Sequence, residues 1–149
     1  MAQTAAERAV ELFKSNRNCA QSVYAAAGAG SGMTEAQRLA VSAAFGGGMG
    51  RTGETCGALT GALMALGEQH AEQLAANPVA GRDATYAEAK ALIEEFKAVF
   101  GSTLCRELTG CRLDTKEGHD AFVADNLREK VCMRVVAFAA EKAGARLGH

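Results

Sequence analysis

The chain lacks tryptophan altogether, and aromatic residues make up only 5% of it. That leaves no aromatic platform on which nucleic-acid bases could stack. An excess of one charge is also missing. The net formal charge is −1, so no global field draws the chain to nucleic acid or to an anionic membrane. No apolar run approaches the length that spans a bilayer. The stretch 1–14 has no basic start, apolar core or cleavage site of a secretory leader. A cytoplasmic protein with no nucleic-acid partner and no membrane insertion is the expectation. Proline occurs once, at Pro78, and Val and Ile never alternate with polar residues over a strand's length, so no strand pattern is present.

What is abundant is alanine, in a composition that is 48% apolar and 22% charged, ordinary for a globular chain. At 149 residues the length suits one domain, 1–149, with a real core. Helical preference runs almost throughout. The pattern predicts a first helix over 4–14 and a second from Cys19 to the 28–32 glycine stretch, with Asn18 as its cap. Thr34 with Gln37 forms a capping-box pattern for a third helix reaching Phe45. A fourth is expected over 55–76 and stopped by Asn77-Pro78, with 79–86 a polar turn. Thr85 with Glu88 caps a fifth ending at Gly101. Ser102 or Thr103 caps a short helix holding Cys105 and Leu108, and a last helix runs over 127–147. The expected fold is all-α, a compact bundle of six or seven helices.

Gly48-Met49-Gly50-Arg51-Thr52-Gly53 matches the G-x-G-x-x-G pattern of dinucleotide-binding loops. That function needs a strand before the loop and an acidic residue on a second strand after the helix. Thr34 instead caps a helix upstream, and no strand follows. The nucleotide context therefore fails. The glycines are better read as positions of positive φ or of close backbone approach to a helix or a cofactor. Gly57 and Gly61 share one face of the next helix, where small residues permit close packing.

Five cysteines remain to be explained: Cys19, Cys56, Cys105, Cys111 and Cys132. There is no C-x-x-C, which removes thioredoxin-type sites and paired zinc knuckles. In a reducing cytosol an odd set of thiols suggests metal or redox chemistry more than a disulfide framework. Cys19, Cys56 and Cys105 each fall where a helix starts, and Cys132 early in the last helix. Helix N-termini favour thiolates and the negative charge of a thiolate-bound cluster. Arg17, Arg51, Arg106, Lys130 and Arg134 lie close by in sequence. Against this stands the ordinary use of free Cys as a small buried hydrophobe. Cys111 follows Gly110 outside the helix pattern and is the weakest candidate, although a loop folding back would make it a resolving thiol for Cys105. His70, His119 and His149 show no ligand spacing, and His70 is expected on a solvated face. Glu54 reads as a helix-start residue, and Tyr24 and Tyr86 as edges of the core.

At these residues the chain resembles the C_GCAxxG_C_C family of redox-active proteins. The Cys-Gly-Ala-x-x-Gly motif is matched by Cys56 to Gly61, the first family cysteine by Cys19, the third by Cys105 and the fourth by Cys132. Cys111 falls outside the pattern. The resemblance covers nearly the whole chain and implies a redox role without naming a reaction. A related module fused within some haem cytochromes is associated with an iron–sulfur centre, which favours ligation over free thiol chemistry.

The leading expectation is an electron-transfer or redox-sensing module. Cys19, Cys56, Cys105 and Cys132 ligate an iron–sulfur cluster, most simply [2Fe–2S], and glycines such as Gly57 let backbone N–H groups approach the sulfurs. Two alternatives stay open. One is a metal-free thiol–disulfide oxidoreductase, with Cys56 attacking and Cys19 or Cys105 resolving. The other is a binding protein for Zn or Cu(I). The implied partner is an unidentified redox protein, and a homodimer is a further expectation for a small Ala-rich helical module.

Overall fold

The computed structural model describes residues 2–147, and His149 lies outside them. Ten segments follow in order: α1 Ala5–Lys14, α2 Cys19–Ala27, α3 Glu35–Ser42, α4 Gly46–Met49, α5 Gly57–Gln69, α6 Ala71–Ala76, α7 Pro78–Phe100, α8 Cys105–Thr109, α9 Lys116–Ala124 and α10 Met133–Gly144, all α-helical except α4, which is a left-handed turn. Seven of these reach at least seven residues, and the described residues hold no strand. The fold is all-α, as the composition and caps predict.

The N-termini of α1, α2 and α3 are closed by reciprocal capping boxes. Thr4 pairs with Glu7, Asn18 with Gln21, and Thr34 with Gln37. Each box satisfies two backbone donors that a helix start otherwise leaves open. Asn18 also donates from Nδ2 to the Ala43 carbonyl at 2.8 Å. That bond ties the start of α2 to the segment leading into the glycine loop.

The core is built from small residues. Ala9, Ala20, Ala58, Ala62, Ala65 and Ala139 are fully buried, with Leu59, Leu66, Phe96 and Val136 filling the space between them. Alanine permits helices to approach closely, and α2 packs on α5 in this way. A Cβ at Gly61 would stand 2.6 Å from the Ala20 carbonyl oxygen. Phe96, Phe100 and Phe138 form an aromatic group with ring centroids 4.9 to 6.2 Å apart.

Several boundaries differ from the sequence-based expectation. The helix expected over 55–76 does not begin at Thr55, which pairs with Leu104 as an isolated antiparallel bridge. It also breaks at His70 between α5 and α6. The expected solvated His70 instead meets Glu88 at 2.9 Å with its side chain 20% exposed. The expected turn over 79–86 is helix. Pro78 occupies the first position of α7, where its missing N–H costs nothing, and Asn77 accepts from the Ala80 N–H at 3.1 Å. Thr85 is therefore interior, its hydroxyl donating to the Gly81 carbonyl at 2.8 Å. Leu104, not Ser102 or Thr103, precedes α8, and the Ser102 hydroxyl accepts from the Leu104 N–H at 3.0 Å. Tyr24 is buried as expected, while Tyr86 is exposed. The last helical run opens with a π-helical turn, Arg128–Cys132, and passes directly into α10.

Candidate functional site at the cysteine cavity

The glycine loop is a left-handed turn. Gly47, Gly48, Met49, Gly50 and Arg51 all have φ between +64° and +68°. L-residues pay roughly 1–2 kcal/mol each for this handedness, which explains why three of the five are glycine. The turn closes on itself, with the Gly53 N–H donating to the Gly47 carbonyl at 3.2 Å and the Glu54 N–H to the Gly48 carbonyl at 2.9 Å. A Cβ at Gly48 would lie 2.7 Å from the Cβ of Cys105. The loop thus wraps the side of the candidate site, and its glycines serve the backbone rather than a phosphate.

Immediately after the turn, the chain pairs with the segment before α8. The Cys56 N–H donates to the Thr103 carbonyl at 2.7 Å, and the Cys105 N–H donates to the Glu54 carbonyl at 2.8 Å. These two bonds flank the Thr55–Leu104 bridge and set Cys56 and Cys105 diagonally across it. On the other side, the α2–α5 crossing sets Gly57 against Cys19. A Cβ at position 57 would collide with the Cys19 sulfur and stand 2.8 Å from the Phe45 carbonyl oxygen. The Cys-Gly dipeptide therefore holds one thiol and makes room for another.

Cys19, Cys56, Cys105 and Cys132 all line one cavity of about 510 Å³. They arrive from four elements: the first residue of α2, the residue preceding α5, the first residue of α8, and the last residue of the π-helical turn. Cys132 lies early in the last helical run, as expected, and the helix runs continuously through it. π-Turns of this kind are frequent at functional sites. Cys111 does not line the cavity. It does fold back toward Cys105, since its N–H donates to the Thr109 hydroxyl at 3.2 Å, and that hydroxyl donates to the Cys105 carbonyl at 2.8 Å.

Burial favours the protonated form of Cys56, Cys105 and Cys132. Burial, reinforced by Cys19 and Cys105, pushes the Cys56 thiol well above its ordinary range, against the opposing N–H groups of Ala58 and Leu59 at the start of α5. Burial, then the neighbouring Cys19 and Cys111, pushes Cys105 up to about 11. Burial, then Cys19 and Cys105, pushes Cys132 up to about 12, with Arg128 acting in the opposite sense. The helix-start field expected to activate Cys56 is present, and burial outweighs it.

Among the described residues, no three or more His, Cys, Asp or Glu side chains are gathered tightly enough to hold a single metal ion. Four thiols, the donor type that holds iron–sulfur clusters, nevertheless share one cavity, and glycines at positions 48 and 57 let the backbone pack directly against two of them. Arg128 was not legible as a site residue. Its guanidinium sits over the Phe13 ring at 3.7 Å and donates to the carbonyls of Phe13 and Arg17. His119 and Phe13 also line the cavity. Of the cationic residues close in sequence to the cysteines, Arg51 lines it, while Arg106 turns outward to Glu54 at 3.1 Å.

Residues 17–145 match the family model described as "Putative redox-active protein (C_GCAxxG_C_C)". No curated protein and no solved structure matches the chain.

Proposed function

Starting from the fact that the chain belongs to the C_GCAxxG_C_C redox-active family, we propose that it is an electron-transfer or redox-sensing module whose Cys19, Cys56, Cys105 and Cys132 ligate an iron–sulfur cluster, [2Fe–2S] in the simplest case. One observation carries this reading: four thiols from four separate elements line a single cavity. Such a cluster, when bound, supplies one-electron redox chemistry whose potential depends on charge, burial and hydrogen bonds to sulfur.

The chain's own residues prepare that site. Gly57 presents no side chain where Cys19 must fit, and the Ala58 and Leu59 N–H groups favour the Cys56 thiolate once an electrophile is present. Arg128 favours the thiolate form of Cys132. The apolar lining from Phe13, Leu108, Val131 and Val135 limits water and lowers the local dielectric. The two alternatives fit less well. An attacking thiol should be partly ionised near neutral pH, whereas burial pushes Cys56, Cys105 and Cys132 the other way. A tetrahedral zinc site needs sulfurs roughly 3.8 Å apart, from a Zn–S bond of about 2.3 Å, and the described residues hold no such compact group.

Anaerobic reconstitution with iron and sulfide tests the proposal. A visible charge-transfer spectrum with matching iron and acid-labile sulfide is expected, and it is lost on Cys→Ser substitution at any of the four positions. A colourless, iron-free product contradicts it.

A further inference from the structure

Only part of the cavity wall is sulfur. Its volume of about 510 Å³ falls in the range of small-molecule sites, roughly 300–1,000 Å³, and exceeds what an inorganic core of a few atoms fills. The remaining wall has a marked charge pattern. Arg51, His119 and Arg128 line it, together with apolar Leu113 and Phe122, and no aspartate or glutamate does.

These three basic side chains, which line the cavity with polar Asn18 and Thr109, are not equivalent. Arg128 is committed to the Phe13 ring and to two backbone carbonyls. Arg51 makes no ion pair among the described residues. It is nevertheless held with φ at +66°, a conformation disfavoured for an L-residue. Its stem lies against Gly47, where a Cβ would meet the Arg51 Cγ at 2.8 Å and the Leu113 Cδ1 at 3.9 Å. The left-handed turn therefore sets Arg51, which makes no ion pair among the described residues, in the cavity wall beside an apolar side chain. Left-handed non-glycine residues held by the surrounding structure cluster at functional sites.

From this arrangement we infer that the cavity binds a small organic anion with an apolar body, of the carboxylate class, with Arg51 as its charge partner and His119 as a second hydrogen-bonding group. As a redox substrate site this rests on the proposed role of the four thiols. As a binding site it does not.

Equilibrium dialysis of radiolabelled benzoate, and of its uncharged analogue benzamide, tests the inference on the reduced full-length chain and on iron-loaded protein. Saturable benzoate binding is expected, about tenfold tighter than benzamide, as one charge-assisted contact provides. Arg51→Gln, its fold checked by circular dichroism, removes the preference. Arg51→Lys keeps most of it and serves if the first variant does not fold. Absence of saturable benzoate binding overturns the inference, as do equal affinities for the two probes or a preference that survives in Arg51→Gln. Loss of binding on iron loading also overturns it, because the space would then belong to the cluster. Benzoate binding by a chain that never takes up iron leaves the anion site standing and removes the iron–sulfur reading.

Discussion

Thr55 and Leu104 pair as an isolated antiparallel bridge, which sets Cys56 opposite Thr103 and Cys105 opposite Glu54, the two cysteines diagonal across it. The bridge joins residues far apart in sequence and is flanked by two short backbone hydrogen bonds, so the relative placement of the two cysteines is set by the main chain. It is also the reason that α5 starts at Gly57 rather than at Thr55.

Gly57→Ala tests the packing of the Cys-Gly dipeptide. The added methyl meets the Cys19 sulfur and the Phe45 carbonyl, and overpacking of this kind costs about 1–3 kcal/mol. Urea denaturation should show that loss, and iron uptake should fall with it. Gly67→Ala, where a Cβ meets nothing within 4 Å, should be neutral or stabilising by up to about 1 kcal/mol.

Alanine substitutions separate two roles within the left-handed turn. Gly50 has φ at +64° with open space around its Cα, so Gly50→Ala should cost only the conformational penalty of about 1–2 kcal/mol. Gly48 has φ at +68° and lies 2.7 Å from the Cys105 Cβ and the Glu54 backbone at the position of a Cβ. Gly48→Ala should cost clearly more and perturb Cys105. Equal losses in urea denaturation would show that the turn does not wrap Cys105 as described.

The reduced, metal-free protein should lose stability at high pH. Cys105 and Cys132 rise from an ordinary 9.0 to about 11 and about 12, so the folded state holds protons that the unfolded state releases across that interval. Their contribution is full below about pH 9 and is lost as pH rises through the folded values. Urea midpoints under reducing conditions should fall from pH 8.5 to pH 10.5 in steps of roughly this origin. Iron-loaded protein should not show this fall, because its ligands are already deprotonated.

Away from the cavity, Arg38 and Glu68 form a buried ion pair. Arg38 Nη2 lies 2.6 Å from Glu68 Oε2, with side chains 13% and 3% exposed. Although burial pushes the Glu68 carboxyl up, hydrogen bonds from Arg38 and Tyr24 hold it below its ordinary range. Glu68→Ala leaves a buried guanidinium without its partner and should cost about 3–5 kcal/mol. The double variant Arg38→Met, Glu68→Leu should recover much of that loss in the same denaturation assay.

The sequence carried the helical class, Asn18 as a cap and the capping box at Thr34, because caps are local signals, whereas the sharing of one cavity by Cys19, Cys56, Cys105 and Cys132 is a long-range arrangement for which the family resemblance, not any local signal, was the pointer. It did not carry the Thr55–Leu104 bridge, a long-range pairing with no periodicity of its own. Pro78 was read as a stop, though at the first position of α7 it starts a helix. The break at His70 comes where its side chain meets Glu88, a contact between separate helices. The glycine run announced unusual backbone but not its hand, and Arg128 escaped notice because its partners are the aromatic face and carbonyl of Phe13 and the carbonyl of Arg17.

On the proposed function the four-cysteine cavity is a cluster site. Its most direct measurement is the iron and acid-labile sulfide content, with the visible spectrum, of protein purified and reconstituted without oxygen. Equimolar iron and sulfide, bound by the native chain and lost in Cys56→Ser and Cys132→Ser variants that still fold, is the predicted result. Folded protein that binds no iron, or binds zinc alone through the same cysteines, would contradict it.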